Sequence, residues 1–138
     1  MRKIDLIMVI AALWFTSSSC NNNKNIRLNK SYVFVHDGYD NNQIIGDHSI
    51  PENVIACFYD SNFIIAKQIP TKYGNAIYEN EPIYRDGRDW VYFWLIVHRT
   101  NTLLGPFRKV EFDSVRAIYK VPANSGLKKI IIDSTDFN

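Results

Sequence analysis

The feature that most narrows the fold is a set of short runs that are apolar at both parities. They are Val54-Ile55-Ala56-Cys57-Phe58-Tyr59, Phe63-Ile64-Ile65-Ala66-Lys67-Gln68-Ile69, and Val91-Tyr92-Phe93-Trp94-Leu95-Ile96-Val97-His98. Their lengths and their β-branched and aromatic content mark them as strands rather than helices. Successive strand side chains point to opposite faces, so a sheet with one wet face carries a polar residue at every second position. These runs do not, so both faces of the central sheet must be covered in part. Asp60-Ser61-Asn62 separates the first two runs, which predicts a β-hairpin.

Weaker signals extend the sheet. Tyr32-Val33-Phe34-Val35-His36 is a further strand that ends at the turn pair Asp37-Gly38. A polar stretch follows, with one short apolar pair at Ile44-Ile45 and a break at Pro51. After the third central run the chain turns at Thr100-Asn101-Thr102 into Leu103-Leu104-Gly105-Pro106. Gly105 can adopt a backbone angle closed to other residues, and Pro106 fixes the next, so the pair is read as turning the chain off the sheet.

A helix is predicted over Lys109–Lys120, with Phe112, Val115, Ile118 and Tyr119 on one stripe and Phe112 as its anchor. Glu111 and Asp113 lie in its first half, Lys120 at its end and Pro122 just beyond. No good N-cap residue precedes it. Leu127–Ile132 adds a final strand. The fold class expected is α+β: an antiparallel meander of four to six strands with one C-terminal helix packed on it. That helix would cover one face and a long aromatic loop the other.

The amino terminus has a different character. Arg2 and Lys3 precede ten apolar residues, Leu6 to Phe15, and then Thr16-Ser17-Ser18-Ser19-Cys20. A membrane-spanning helix needs about 20 apolar residues, so this run has the length of a secretory signal core. Ser17-Ser18-Ser19-Cys20 resembles a bacterial lipobox, although Ser17 stands where an aliphatic residue is usual. The expectation is a signal peptide over 1–19, lipidation at Cys20, a flexible tether over 20–30 and one globular domain over 31–138. Each lipid methylene would contribute roughly 0.8 kcal/mol to membrane anchoring. The absence of an aspartate after Cys20 favours the outer membrane. With Cys20 acylated, Cys57 has no partner within the mature chain, and its apolar run makes it a small buried hydrophobe.

Charge excludes one class of partner. Setting aside Arg2, Lys3 and Asp5 leaves 14 basic and 13 acidic side chains, a net of +1. Nucleic acid rewards a concentrated basic patch, so no nucleic-acid partner is expected. No glycine-rich phosphate loop, serine-nucleophile elbow, H-E-x-x-H or C-x-x-C motif occurs. His36, His48 and His98 have no ligand spacing and read as strand-end or loop residues. No metal, cofactor or catalytic residue is therefore assigned.

The segment from Pro70 to Trp90 is long and aperiodic, which in compact domains marks binding loops. It carries Tyr73, Tyr78, Tyr84, Arg85, Arg88 and Trp90, interleaved with Glu79, Glu81, Asp86 and Asp89. Aromatics with polar handles beside charges of both signs suit a protein or glycan contact surface. The bland alternative is a lid whose tyrosines fold onto the core. The function expected is a non-enzymatic, lipid-anchored envelope module that binds a protein or glycan. Alternatives are a small hydrolase using paired loop carboxylates or an inhibitor or immunity-type lipoprotein.

Taken in order, Phe63-Ile64-Ile65-Ala66-Lys67-Gln68, Tyr92-Phe93-Trp94-Leu95-Ile96-Val97, Gly105-Pro106-Phe107 and Glu111-Phe112 form a recognisable series. The series resembles an uncharacterised family of small bacterial lipoproteins with a "yIiAkQ" strand, a "yWIId" strand, a "GPl" turn and an acidic-Phe helix start. Val97-His98 stands where that family usually has an aspartate, and the tract between the strands is longer. The likeness covers residues 54 to 120. It implies export, a lipid and a meander with one helix, and it supplies no activity.

Overall fold

The computed structural model describes residues 24–37, 41–70 and 82–132. Among the described residues, eight strands and one α-helix follow one another. They are β1 (Lys24–Arg27), β2 (Tyr32–His36), β3 (Asn42–Gly46), β4 (Val54–Tyr59), β5 (Phe63–Gln68), β6 (Tyr92–Val97), β7 (Thr102–Phe107), α1 (Lys109–Ile118) and β8 (Lys128–Ile131). The strands form a three-stranded sheet ordered β1-β2-β3 and a five-stranded sheet ordered β7-β6-β5-β4-β8. Every pairing is antiparallel. The fold is thus α+β, with a single helix packed on the larger sheet.

The central strands are apolar at both parities because they are the middle of three layers. Ile64, Ala66, Trp94, Ile96 and Cys57 face one way and pack with Leu28, Tyr32, Phe34 and Ile44 of the N-terminal sheet. Ile65, Leu95 and Val97 face the other way and pack with Phe112 of the helix, alongside Phe93, Phe107 and Val115. The register carries this through the sheet: Ile64 opposes Ile96 and Ala66 opposes Trp94 on one face, while Ile65 opposes Leu95 on the other.

The helix covers the face that the sequence assigned to it. On the opposite face the cover is the three-stranded sheet, joined by Tyr84, rather than the aromatic loop alone. That sheet also corrects the tether expected over 20–30, because the chain is already a strand from Lys24. Ile26 packs against the core and Leu28 is buried in it. Residues 20–23 lie outside the described residues.

Two further corrections concern the helix and the Gly-Pro pair. Phe112 is buried and stacks on Phe93 with centroids 4.9 Å apart, and Val115 packs beside it. Ile118 is 74% exposed, and Tyr119 is also exposed, so the apolar stripe stops one turn short of its expected length. No side chain caps the helix start at Arg108. It ends where Lys120 takes a left-handed φ of 53° and Val121 N–H donates to the Arg116 carbonyl.

Gly105 and Pro106 do not turn the chain away; they lie inside β7, where the register with β6 shifts between Phe93 and Leu95. Gly105 has a φ of 128°, and a Cβ there would come within 2.9 Å of the Phe93 carbonyl and 3.0 Å of the Trp94 ring. The position needs glycine for both reasons. Proline is tolerated because β7 is an edge strand carrying an irregularity.

Candidate functional site

The described part of the 70–90 segment is built on one buried glutamine. Gln68 ends β5 at an inward-facing position and is fully buried. Its Nε2 donates to the carbonyls of Pro51 (2.8 Å) and Glu52 (2.6 Å), and its Oε1 accepts from Trp94 Nε1 (2.6 Å). Tyr84 lays its hydroxyl on the same amide, 3.2 Å from Nε2 and 3.4 Å from Oε1. Its ring packs against Tyr92 at 5.1 Å. Burial pushes the Tyr84 hydroxyl up to about 12, partly offset by the Gln68 hydrogen bond and reinforced by Tyr92 and Glu52. Tyr92 in turn donates to the Gly87 carbonyl (2.7 Å) and accepts from Asp86 N–H (3.2 Å). Residues 84–87 are thereby fastened to the core.

Outside that anchor the loop presents aromatics and cations. Trp90 is 51% exposed and Ile83 is 83% exposed. The Arg108 guanidinium lies 4.2 Å from the Trp90 ring centroid and pairs with Asp86 at 2.9 Å. Arg88 sits 5.2 Å above the Tyr84 ring. Arg85 reaches Glu111 of the helix at 3.6 Å, and both side chains are exposed. Arg88 with Tyr84 and Arg108 with Trp90 thus form two cation–aromatic pairs connected through buried Tyr92, while Arg85 pairs with the helix.

Tyr73, Tyr78, Glu79 and Glu81 lie outside the described residues, as does Cys20. Cys57 is buried in the core, and burial pushes its thiol up to about 12. Asp86 is the ion-pair partner of Arg108, and Asp89 is exposed.

Sequence reasoning missed Gln68 and Arg108. A legible signal for Gln68 was its inward parity with Ile64 and Ala66, since a polar residue there must find buried partners. No sequence signal placed Arg108 on Trp90, because the two sit on different elements.

A second polar cluster lies at the opposite end of β6. Asn29 Oδ1 accepts from the N–H groups of Ser31 and Tyr32, each at 2.8 Å. Its Nδ2 lies 2.9 Å from both ring nitrogens of His98. The Tyr32 hydroxyl donates to Asn101 Oδ1 (3.2 Å), and His48 Nε2 donates to the Asn101 carbonyl (2.8 Å). His48 and His98 thus meet the same short turn, whereas His36 pairs with buried Asn42 elsewhere. Among the described residues no group of three or more His, Cys, Asp or Glu side chains is placed to hold a metal. No described helix is long and apolar enough to cross a membrane.

Compared with known proteins, no curated protein and no solved structure matches the chain. A family model described as "Protein of unknown function (DUF3997)" matches residues 20–131, most of the chain, and the protein belongs to that family.

Proposed function

We propose that this protein is an exported lipoprotein, anchored through Cys20, that binds a protein partner with the surface around Trp90. One observation carries the binding part. Trp90 and Ile83 stay exposed on a loop whose neighbouring Tyr84 and Tyr92 are hydrogen-bonded into the core. A fixed platform loses little entropy on association, and tryptophan with arginine is the composition that dominates protein interfaces. Arg108 already occupies one face of the Trp90 ring, and the same loop exposes aliphatic Ile83. Both features suit a protein surface better than a sugar ring. The anchoring part is supported by the ten-residue apolar run that precedes Ser17-Ser18-Ser19-Cys20.

Crosslinked pull-down from the native envelope tests the binding part. The wild-type protein is expected to capture a defined protein, and Trp90→Ala with Arg108→Ala is expected to lose it while the thermal melt stays within a few degrees. Equal capture by both forms excludes this surface. Mass spectrometry tests the anchor: an acylated amino-terminal Cys20 is expected, and a free thiol there excludes it.

A further inference from the structure

We propose that the contact between the N-terminal sheet and the turn after β6 is a proton-sensitive latch, closed while His98 is neutral. This reading is independent of the binding surface around Trp90. Three side-chain contacts from the smaller sheet converge on residues 98–101: Asn29 on His98, Tyr32 on the Asn101 side chain and His48 on the Asn101 carbonyl. His98 is held on its other side, where its backbone N–H donates to the Asn62 carbonyl of the β4–β5 turn (3.0 Å). Residue His98 therefore joins the two layers, its backbone held by the larger sheet and its ring by Asn29 of the smaller one.

The geometry fixes the charge that the bridge tolerates. Asn29 Oδ1 is engaged by two backbone N–H groups, so the amide must present its nitrogen, a donor, to the ring. Neutral imidazole keeps one bare nitrogen to accept that hydrogen. Imidazolium carries N–H on both nitrogens, and both lie 2.9 Å from Asn29 Nδ2. A ring flip does not help, because the charged ring carries N–H at both positions and offers the amide nitrogen no acceptor. Turning the amide over instead would break the bonds to Ser31 and Tyr32.

The surroundings of the ring act in both directions. Burial holds His98 below the ordinary histidine range, and Asp60 from the β4–β5 turn opposes this by favouring the charged ring. Tyr32 packs against the ring at 5.7 Å between centroids. Arg99 adjoins it in the chain. Asp47 and His48 act on Tyr32 and Asn101 at the far side of the turn. Protonation of His98 loosens the smaller sheet at its β1–β2 turn and leaves the five-stranded sheet paired.

The test uses the full chain, with imidazole NMR titration and amide hydrogen exchange at about pH 7.5 and about pH 5. His98 is expected to titrate below the value of about 6.5 for an unstructured histidine. Exchange over residues 28–36, corrected for the intrinsic chemical rate, is expected to rise roughly tenfold at the lower pH, while β5 and β6 hold steady. Asn29→Asp keeps the acceptor for Ser31 and Tyr32 but offers the ring a carboxylate. It should raise the His98 midpoint above wild type and remove the acid-induced exchange. A wild-type midpoint at or above 6.5, exchange indifferent to pH, or an unmoved midpoint in Asn29→Asp each overturns the latch.

Discussion

Trp94 and Gln68 meet inside the domain, where the indole N–H donates to the glutamine oxygen at 2.6 Å and both side chains are buried. The same amide serves the Pro51 and Glu52 carbonyls and the Tyr84 hydroxyl, so one side chain holds the chain before β4, a central strand and the aromatic loop together. An unpaired buried polar group costs about 1–3 kcal/mol. Gln68→Leu strands several at once and is expected to lower stability by about 3 kcal/mol or more. Chemical denaturation, with Trp94→Phe as the milder comparison, checks this.

Phe112 is the one fully engaged residue of the helix, stacked on Phe93 over the larger sheet. Phe112→Ala is expected to cost about 3–5 kcal/mol, while Ile118→Ala, at an exposed position, is expected to stay within about 0.5 kcal/mol. Urea midpoints of the two variants make the comparison.

Gly46 lies against the side chain of Tyr32. A Cβ there would fall 2.2 Å from the Ser31 carbonyl and 2.4 Å from the Tyr32 ring. Gly46→Ala is expected to destabilise by at least about 1–3 kcal/mol through overpacking. Faster hydrogen exchange concentrated in β2 and β3 is its expected signature.

Burial raises the Cys57 thiol from 9.0 and the Tyr84 hydroxyl from 10.0, each to about 12. A raised acid contributes stability below its unfolded value and loses it as pH climbs toward the folded one. Thermal stability is therefore expected to fall progressively between about pH 9 and about pH 12, and Cys57→Ala should flatten the first part of that decline. At about pH 8 the native thiol should resist alkylation and react once denatured.

How far the sequence spoke depended on how much each segment buries. β4, β5 and β6 were legible because they are covered on both faces, which leaves unbroken apolar runs. β1 (Lys-Asn-Ile-Arg) and β3 (Asn-Gln-Ile-Ile-Gly) were not: β1 buries little of its surface, β3 sends only Asn42 and Ile44 fully inward, and both pair with β2. The helix was legible from its period, but its packed length was not, since Ile118 and Tyr119 fit the stripe without meeting the sheet. At the candidate site, Trp90 and Tyr84 stood out as aromatics in an aperiodic segment. Arg108 did not, because stacking between distant elements leaves no mark in local composition.

The place of β8 has a consequence for how the chain is made. It lies against β4, with Cys57 opposite Ile130, so the first strand of the meander waits for the last one synthesised. Until Lys128–Ile131 leaves the ribosome, one flank of Val54–Tyr59 is a bare ladder beside a hydrophobic face, the arrangement that invites self-association. A chain cut just after the helix would be expected to collect in inclusion bodies, even though it retains most of the apolar residues of the core.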